Sequence, residues 1–271
     1  MVPRVRFSGT ITADEKTLLR EALFFHRYLV RLAQQVPDAH VTVLKVVPFG
    51  KNPKPGVVLA KVEGVPAGQK RKSSYHMTIM DDGVMAVTIF LVGDNKDPWV
   101  LMKEEFRYGT LTRTLEPPAG FVDPGSMSRE HDLLREIHEE TGVNMAGFRY
   151  QEIGKITASP GLVNDTFVCA TDIPVSEKQF EHIRSSYEGA RNGNVLEGEN
   201  TVTRLVPLAE ALKAMQGYGP GMALVMYAAW KAKGLLDMIA QAVQTAGSDS
   251  TQALTPPASS HAAAGRSGPQ G

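Results

Sequence analysis

The sequence predicts an α/β protein, and three observations carry that prediction. VMAVTIFLV at 84–92 and WVLMKEEF at 99–106 are apolar, β-branched runs on either side of the turn cluster Gly93-Asp94-Asn95-Lys96-Asp97-Pro98, the pattern of a hairpin. Residues 129–141 place Leu133 and Ile137 at helical spacing and end at Gly142, where a left-handed cap is expected. Further strand-like and helix-like segments flank this centre on both sides.

Taken in order, residues 13–36 read as a helix. Asp14 can cap it, and Leu18, Leu19, Leu23, Phe24, Tyr28, Leu29 and Leu32 form a broad apolar stripe. Residues 41–49 and 57–63 read as strands, separated by a loop holding Pro53, Pro55 and Gly56. The basic segment QKRKSSYH, 69–76, reads as a solvated loop, with a phosphate-binding patch as the alternative. Beyond the hairpin come a loop with Gly109 and the acidic helix. Strands follow at 148–156 and 166–172, then a helix at 176–187, a strand at 201–206 and a long helix at about 221–243. From Gly247 to Gly271 the chain is mostly Ser, Thr, Ala, Pro and Gly with almost no bulky apolar residue, so disorder is expected.

Composition narrows the function. The 271 residues carry 29 basic and 29 acidic side chains, so no overall field draws the chain to nucleic acid or to an acidic membrane. No run reaches the ~18 apolar residues of a membrane helix. One cysteine, Cys169, excludes a disulfide framework and a thiolate metal site, which suits a reducing compartment. The start MVPRVRFSGTIT is basic; an ordinary soluble beginning, hence a cytoplasmic protein, is preferred over an organelle-targeting segment.

The chemistry concentrates in REIHEETG. On a helix over 129–141, Glu136 and Glu140 are four residues apart and Glu139 is three from Glu136, so the carboxylates share one side. Ser126 or Ser128 can cap the start. Like charges at this spacing repel, and they sit at the negative end of the helix dipole. A bridging cation removes both penalties, and hard oxygen ligands suit Mg²⁺ or Mn²⁺. A solvated acidic face is the alternative.

The neighbours of these glutamates carry a family resemblance. Arg135-Glu136-Ile137-His138-Glu139-Glu140-Thr141-Gly142-Val143 resembles the second half of the Nudix box, and Pro118-Ala119-Gly120 with Pro124-Gly125 resembles its first half. There are two departures. The interval from Gly120 to Arg135 is one residue longer than in the box, and Ser126 and Met127 occupy the places open to its first glutamate. Arg135 therefore needs another partner, with Asp123 and Glu130 as candidates. Lys103-Glu-Glu-Phe-Arg107, Glu116 in LEPPAG, Ser159-Pro160-Gly161 followed by Asp165, and Leu196-Glu197-Gly198-Glu199-Asn200 resemble, in that order, segments of the ADP-ribose and ADP-sugar pyrophosphatase branch.

The resemblance covers roughly 84–240 and implies a Nudix fold, a mixed sheet sandwiched between helices. It implies three regions: an N-terminal extension over 1–83 of helix and strands, a hydrolase domain over 84–246, and a tail over 247–271. In relatives such an extension often builds a dimer interface, so a homodimer is expected. The implied metal ligands are Glu136, Glu139, Glu140 and the carbonyl of Ala119, binding Mg²⁺ or Mn²⁺. Glu139 and Glu140 are also implied in catalysis, with Glu197 and Glu199 as candidates for the base. Arg107, Glu116 and Gly120 are expected at the substrate. The implied reaction is hydrolysis of the diphosphate of ADP-ribose or a related nucleoside diphosphate sugar to AMP and a sugar phosphate. Two alternatives stay open: another nucleotide substrate (a dinucleoside polyphosphate, an oxidised nucleotide or a capped RNA), or a non-catalytic binding or scaffold subunit.

Overall fold

The computed structural model describes residues 3–49, 54–107, 111–123, 126, 128–159, 162–193, 200–214 and 221–252. Its elements run β1 (Arg4–Phe7), α1 (Ala13–Glu21), α2 (Leu23–Gln35), β2 (His40–Phe49), β3 (Lys54–Gly64) and β4 (Ser73–Met80). Then come β5 (Gly83–Val92), β6 (Asp97–Arg107), β7 (Thr112–Glu116), β8 (Ala119–Phe121) and α3 (Arg129–Thr141). The chain continues through β9 (Gln151–Ser159), β10 (Leu162–Val175), α4 (Glu177–Tyr187), β11 (Arg191–Asn192), β12 (Thr201–Pro207), α5 (Leu208–Ala214) and α6 (Gly221–Gln252). The expected α/β class holds.

One mixed sheet runs β1-β2-β3-β4-β10-β5-β6-β12-β11. β1 pairs parallel with β2, and β10 pairs parallel with both β4 and β5; the remaining pairs are antiparallel. The predicted hairpin is β5–β6, but its strands pair only near the turn, from Ile89↔Val100 to Val92↔Asp97. Beyond that they diverge. β8 takes the free edge of β5 at Gly83–Met85, and β7 takes the free edge of β6 at Lys103–Arg107. The sheet thus forks, and the short link from Glu116 to Ala119 crosses between the two arms.

Two apolar clusters pack on this sheet. The first joins Phe24, Phe25 and Leu29 of the N-terminal helices to Val41, Val58 and Ile79. The second joins Val84, Phe90 and Leu101 to Leu133 and Ile137 of α3 and Phe180 of α4. Contacts divide the chain into two compact units, Met1–Ala228 and Ala229–Gly271.

Several local expectations are corrected. The single helix over 13–36 is two helices, broken at Ala22, whose ψ of 80° lies outside the helical range. The break turns Leu23 out to solvent and seats Phe25 in the core at 1% exposure. Thr12, not Asp14, caps the first helix, in a reciprocal capping box with Glu15. The basic loop at 69–76 gives way at Ser73 to β4, and the basic N-terminus forms β1. The last helix continues to Gln252, past the expected start of a disordered tail at Gly247; residues 253–271 lie outside the described residues.

Candidate active site

The acidic helix α3 fills the fork. Ser128 caps it, its hydroxyl accepting from the His131 N–H, and Gly142 ends it in the left-handed region at φ 70°. Leu133 and Ile137, both fully buried, hold it to the second core. Asp132, Glu136 and Glu140 recur every fourth residue and are buried as well, at 1%, 6% and 0% exposure. Glu139 is partly open.

The C-terminal carbonyls of α3 are met one by one. Gly142 N–H donates to His138 O and Gly193 N–H to Glu139 O. The hydroxyls of Thr201 and Thr203 donate to Glu140 O and Thr141 O, at 2.7 and 2.9 Å. A helix end rich in carboxylates would otherwise leave these acceptors exposed to like charge. The same contacts anchor both flanks of residues 194–199. Glu197 and Glu199, the expected base, fall in that segment and lie outside the described residues.

Each expected carboxylate has a resident cation. The ammonium of Lys103, itself buried, contacts Glu140 Oε1, while the Ala119 N–H donates to Glu140 Oε2 at 2.8 Å. Two tendencies oppose each other here. Burial pushes the Glu140 carboxyl up toward its neutral form. Burial also disfavours the Lys103 ammonium, yet the Glu140 and Glu105 carboxylates hold that lysine above its ordinary value. The charged pair wins, because Glu140 accepts two strong hydrogen bonds that favour its ionised form. Glu136 and Glu139 share one guanidinium: Arg135 Nη2 lies 2.7 Å from Glu136 Oε1, and Nη1 lies 3.1 Å from Glu139 Oε2. Arg135 Nη2 also reaches the Phe121 carbonyl at 3.3 Å. Arg135 thus finds partners on its own helix and on β8.

Gly120 is where it is for want of a side chain. A Cβ there would overlap the Glu136 carboxylate, so the backbone of β8 and that carboxylate pack as one surface. Arg107 and Glu116 meet each other across β6 and β7 through two bonds, at 2.8 and 2.6 Å. Burial favours neutral Glu116, but Arg107, the Thr114 hydroxyl and Lys103 hold its carboxyl below the ordinary range. Lys103, Glu105 and Arg107 alternate along β6 and so share a face, and Glu105 touches both cations, at 3.4 and 3.2 Å.

The structure therefore gathers Ala119, Gly120, Glu136, Glu139 and Glu140 at the fork, and pairs Arg107 with Glu116 beside it. Sequence reasoning missed Lys103, Glu105 and Asp132. The alternation in KEEFR was the available signal for the first two. Asp165 lies on β10 and bonds Lys155, Thr157 and Arg31, at 2.9, 3.0 and 3.3 Å. Phe106 and Phe121 are exposed, while Tyr108, Pro160 and Gly161 lie outside the described residues.

Among the described residues no three His, Cys, Asp or Glu side chains are gathered at metal-binding distance. The donor set nevertheless fits a hard divalent ion. It is all oxygen, and Glu136 and Glu139 already bracket one cationic group beside the Gly120 backbone.

Fold and site together define an α/β protein with an acidic helix docked in a forked mixed sheet. Solved structures similar to it include one described as an ADP compounds hydrolase, at 18% identity and TM-score 0.46, covering 72% of this chain and 96% of that one. Another is the Nudix domain of Shewanella oneidensis NrtR complexed with ADP ribose, at 15% identity and TM-score 0.40, covering 54% of this chain and 85% of that one. No protein-family model matches the sequence, and no curated protein does. Among the described residues no helix is long and apolar enough to cross a membrane.

Proposed function

We propose that this protein is a Nudix-type hydrolase that cleaves the diphosphate of ADP-ribose or a related nucleoside diphosphate sugar, giving AMP and a sugar phosphate. One observation carries the reading: Glu136 and Glu139 hold a cationic group between them against the Gly120 backbone. Glu136 and Glu139, with the Ala119 carbonyl and the remaining lone pairs of Glu140, are the residues that would hold Mg²⁺ or Mn²⁺. Such an ion neutralises a diphosphate and lowers the pKa of water.

The chain's own residues do the rest. Arg107, oriented by Glu116 and Glu105, presents a planar fork suited to phosphate. Lys103 fixes Glu140, and through the Ala119 N–H that carboxylate fixes the β8 backbone. Glu197 or Glu199 takes the proton of the attacking water, a role supported by the anchoring of both flanks of their segment to α3. The N-terminal helices and strands supply a homodimer contact.

The buried Lys103–Glu140 pair favours a second reading, a binding subunit that takes up the nucleotide without turning it over. Titration of ADP-ribose with and without Mg²⁺, beside an AMP-release assay with Glu139→Gln and Glu140→Gln controls, separates the two. Metal-dependent AMP release lost in both variants is expected. Release that survives chelation overturns the hydrolase mechanism, and tight binding without release establishes the second reading.

A further inference from the structure

Asp132 is a buried carboxyl group, 1% exposed, without a hydrogen-bond partner at either oxygen. A carboxylate in that state is costly unless a cation is within reach. One is nearly so: Arg135 Nη2 stands 4.0 Å from Asp132 Oδ1. The same nitrogen is bound to Glu136 at 2.7 Å. A single guanidinium nitrogen therefore lies between two carboxylates on successive turns of α3, bonded to Glu136 and to the Phe121 carbonyl and just beyond bonding distance of Asp132.

We infer that Asp132 is a positioning residue that receives the Arg135 guanidinium when a divalent cation takes over Glu136 and Glu139. The inference rests on the metal-binding reading proposed above. A doubly charged ion between Glu136 and Glu139 repels the guanidinium that occupies the same place. Arg135 is one third exposed and has room to move. A shift of about 1 Å brings Nη2 within charge-assisted bonding distance of Asp132. The displaced arginine then satisfies the Asp132 carboxylate, so part of the cost of freeing Glu136 and Glu139 is returned. Without Asp132 the arginine would lose that second carboxylate and would compete with the cation for the first two. A purely structural aspartate would change stability but would leave cation affinity alone.

The test is Mn²⁺ binding to the full chain, read by calorimetry and by electron paramagnetic resonance, in a double-mutant cycle of Asp132→Asn and Arg135→Gln. Asp132→Asn should weaken Mn²⁺ binding about tenfold, the scale seen when partners of metal ligands are removed. In the Arg135→Gln background the same change should have less than about a twofold effect. Asp132→Ala, which removes the buried carboxyl group with a good helix former, should reproduce the loss and guards against a folding defect of the asparagine variant. Unchanged affinity in both variants, or an equal loss with and without Arg135, overturns the inference while the metal reading stands. Failure of the wild-type chain to bind Mn²⁺ overturns the metal reading and this inference with it.

Discussion

Lys103 and Glu140 form an ion pair in which both side chains are sealed from water, 2% and 0% exposed. The pair ties β6 to α3, so the same contact that closes the fork sets the height of the acidic helix. Removing one partner leaves the other as an uncompensated buried charge. Lys103→Met is therefore expected to cost about 3–5 kcal/mol of unfolding free energy, and Lys103→Met with Glu140→Met should recover most of it. Urea denaturation of the two variants checks this. The double variant should still fold but release no AMP.

Gly120→Ala separates stability from function. The group in the way of the new Cβ is the far end of the Glu136 side chain, which can swing aside. The expected stability loss is only about 1 kcal/mol. The displaced carboxylate, however, no longer faces its cation as before, and a shift of this size is expected to lower the AMP-release rate about 100-fold. Normal activity with a large loss of stability would reverse this assignment.

Much of this site was legible because its signals are local. The cap at Ser128, the stop at Gly142 and the apolar positions Leu133 and Ile137 lie within one short stretch, and the helix formed as read. Lys103 was illegible for the opposite reason. Its partner is 37 residues away, and the contact depends on how far β5 and β6 splay, which no local pattern encodes. β1 was missed because Arg4 and Arg6 disguise a four-residue strand whose pairing with β2 is non-local. The break at Ala22 was missed because a continuous stripe also fits a straight helix; burial of Phe25 decided between them.

Arg107 is held by two bonds to a buried glutamate, so its planar fork matters more than its charge. Arg107→Lys keeps the charge and loses the paired geometry. The expected outcome is about 1–3 kcal/mol lower stability, because Glu116 keeps Thr114 but loses its strongest donors. The KM for ADP-ribose is expected to rise about tenfold with a smaller change in kcat, since positioning is lost in the ground state and transition state alike. Steady-state kinetics on ADP-ribose decides; a kcat loss at constant KM would place Arg107 in the chemistry instead.

Asp81 gives the fold a measurable pH dependence. Arg27 Nη2 reaches its carboxylate at 2.7 Å, but that arginine is half exposed and its attraction is screened. Burial wins over Arg27, and the Asp81 carboxyl is pushed up from 3.8 to about 6. A folded-state value above the unfolded one means the folded chain binds the proton more tightly. The stabilisation is complete below about pH 4 and is lost as pH rises through about 6, a change on the order of 2–3 kcal/mol. Asp81→Asn removes the titration. The stability difference between wild type and this variant, measured by urea denaturation, should therefore fall by that amount between about pH 4 and pH 7. Glu15 works in the opposite sense: Lys45 and the Thr12 amide hold it down to about 2, so its contribution is lost on acidification below its ordinary range. Because that loss is common to both chains, it cancels in the difference, and a flat difference across the window would show that Asp81 stays ionised in the folded protein.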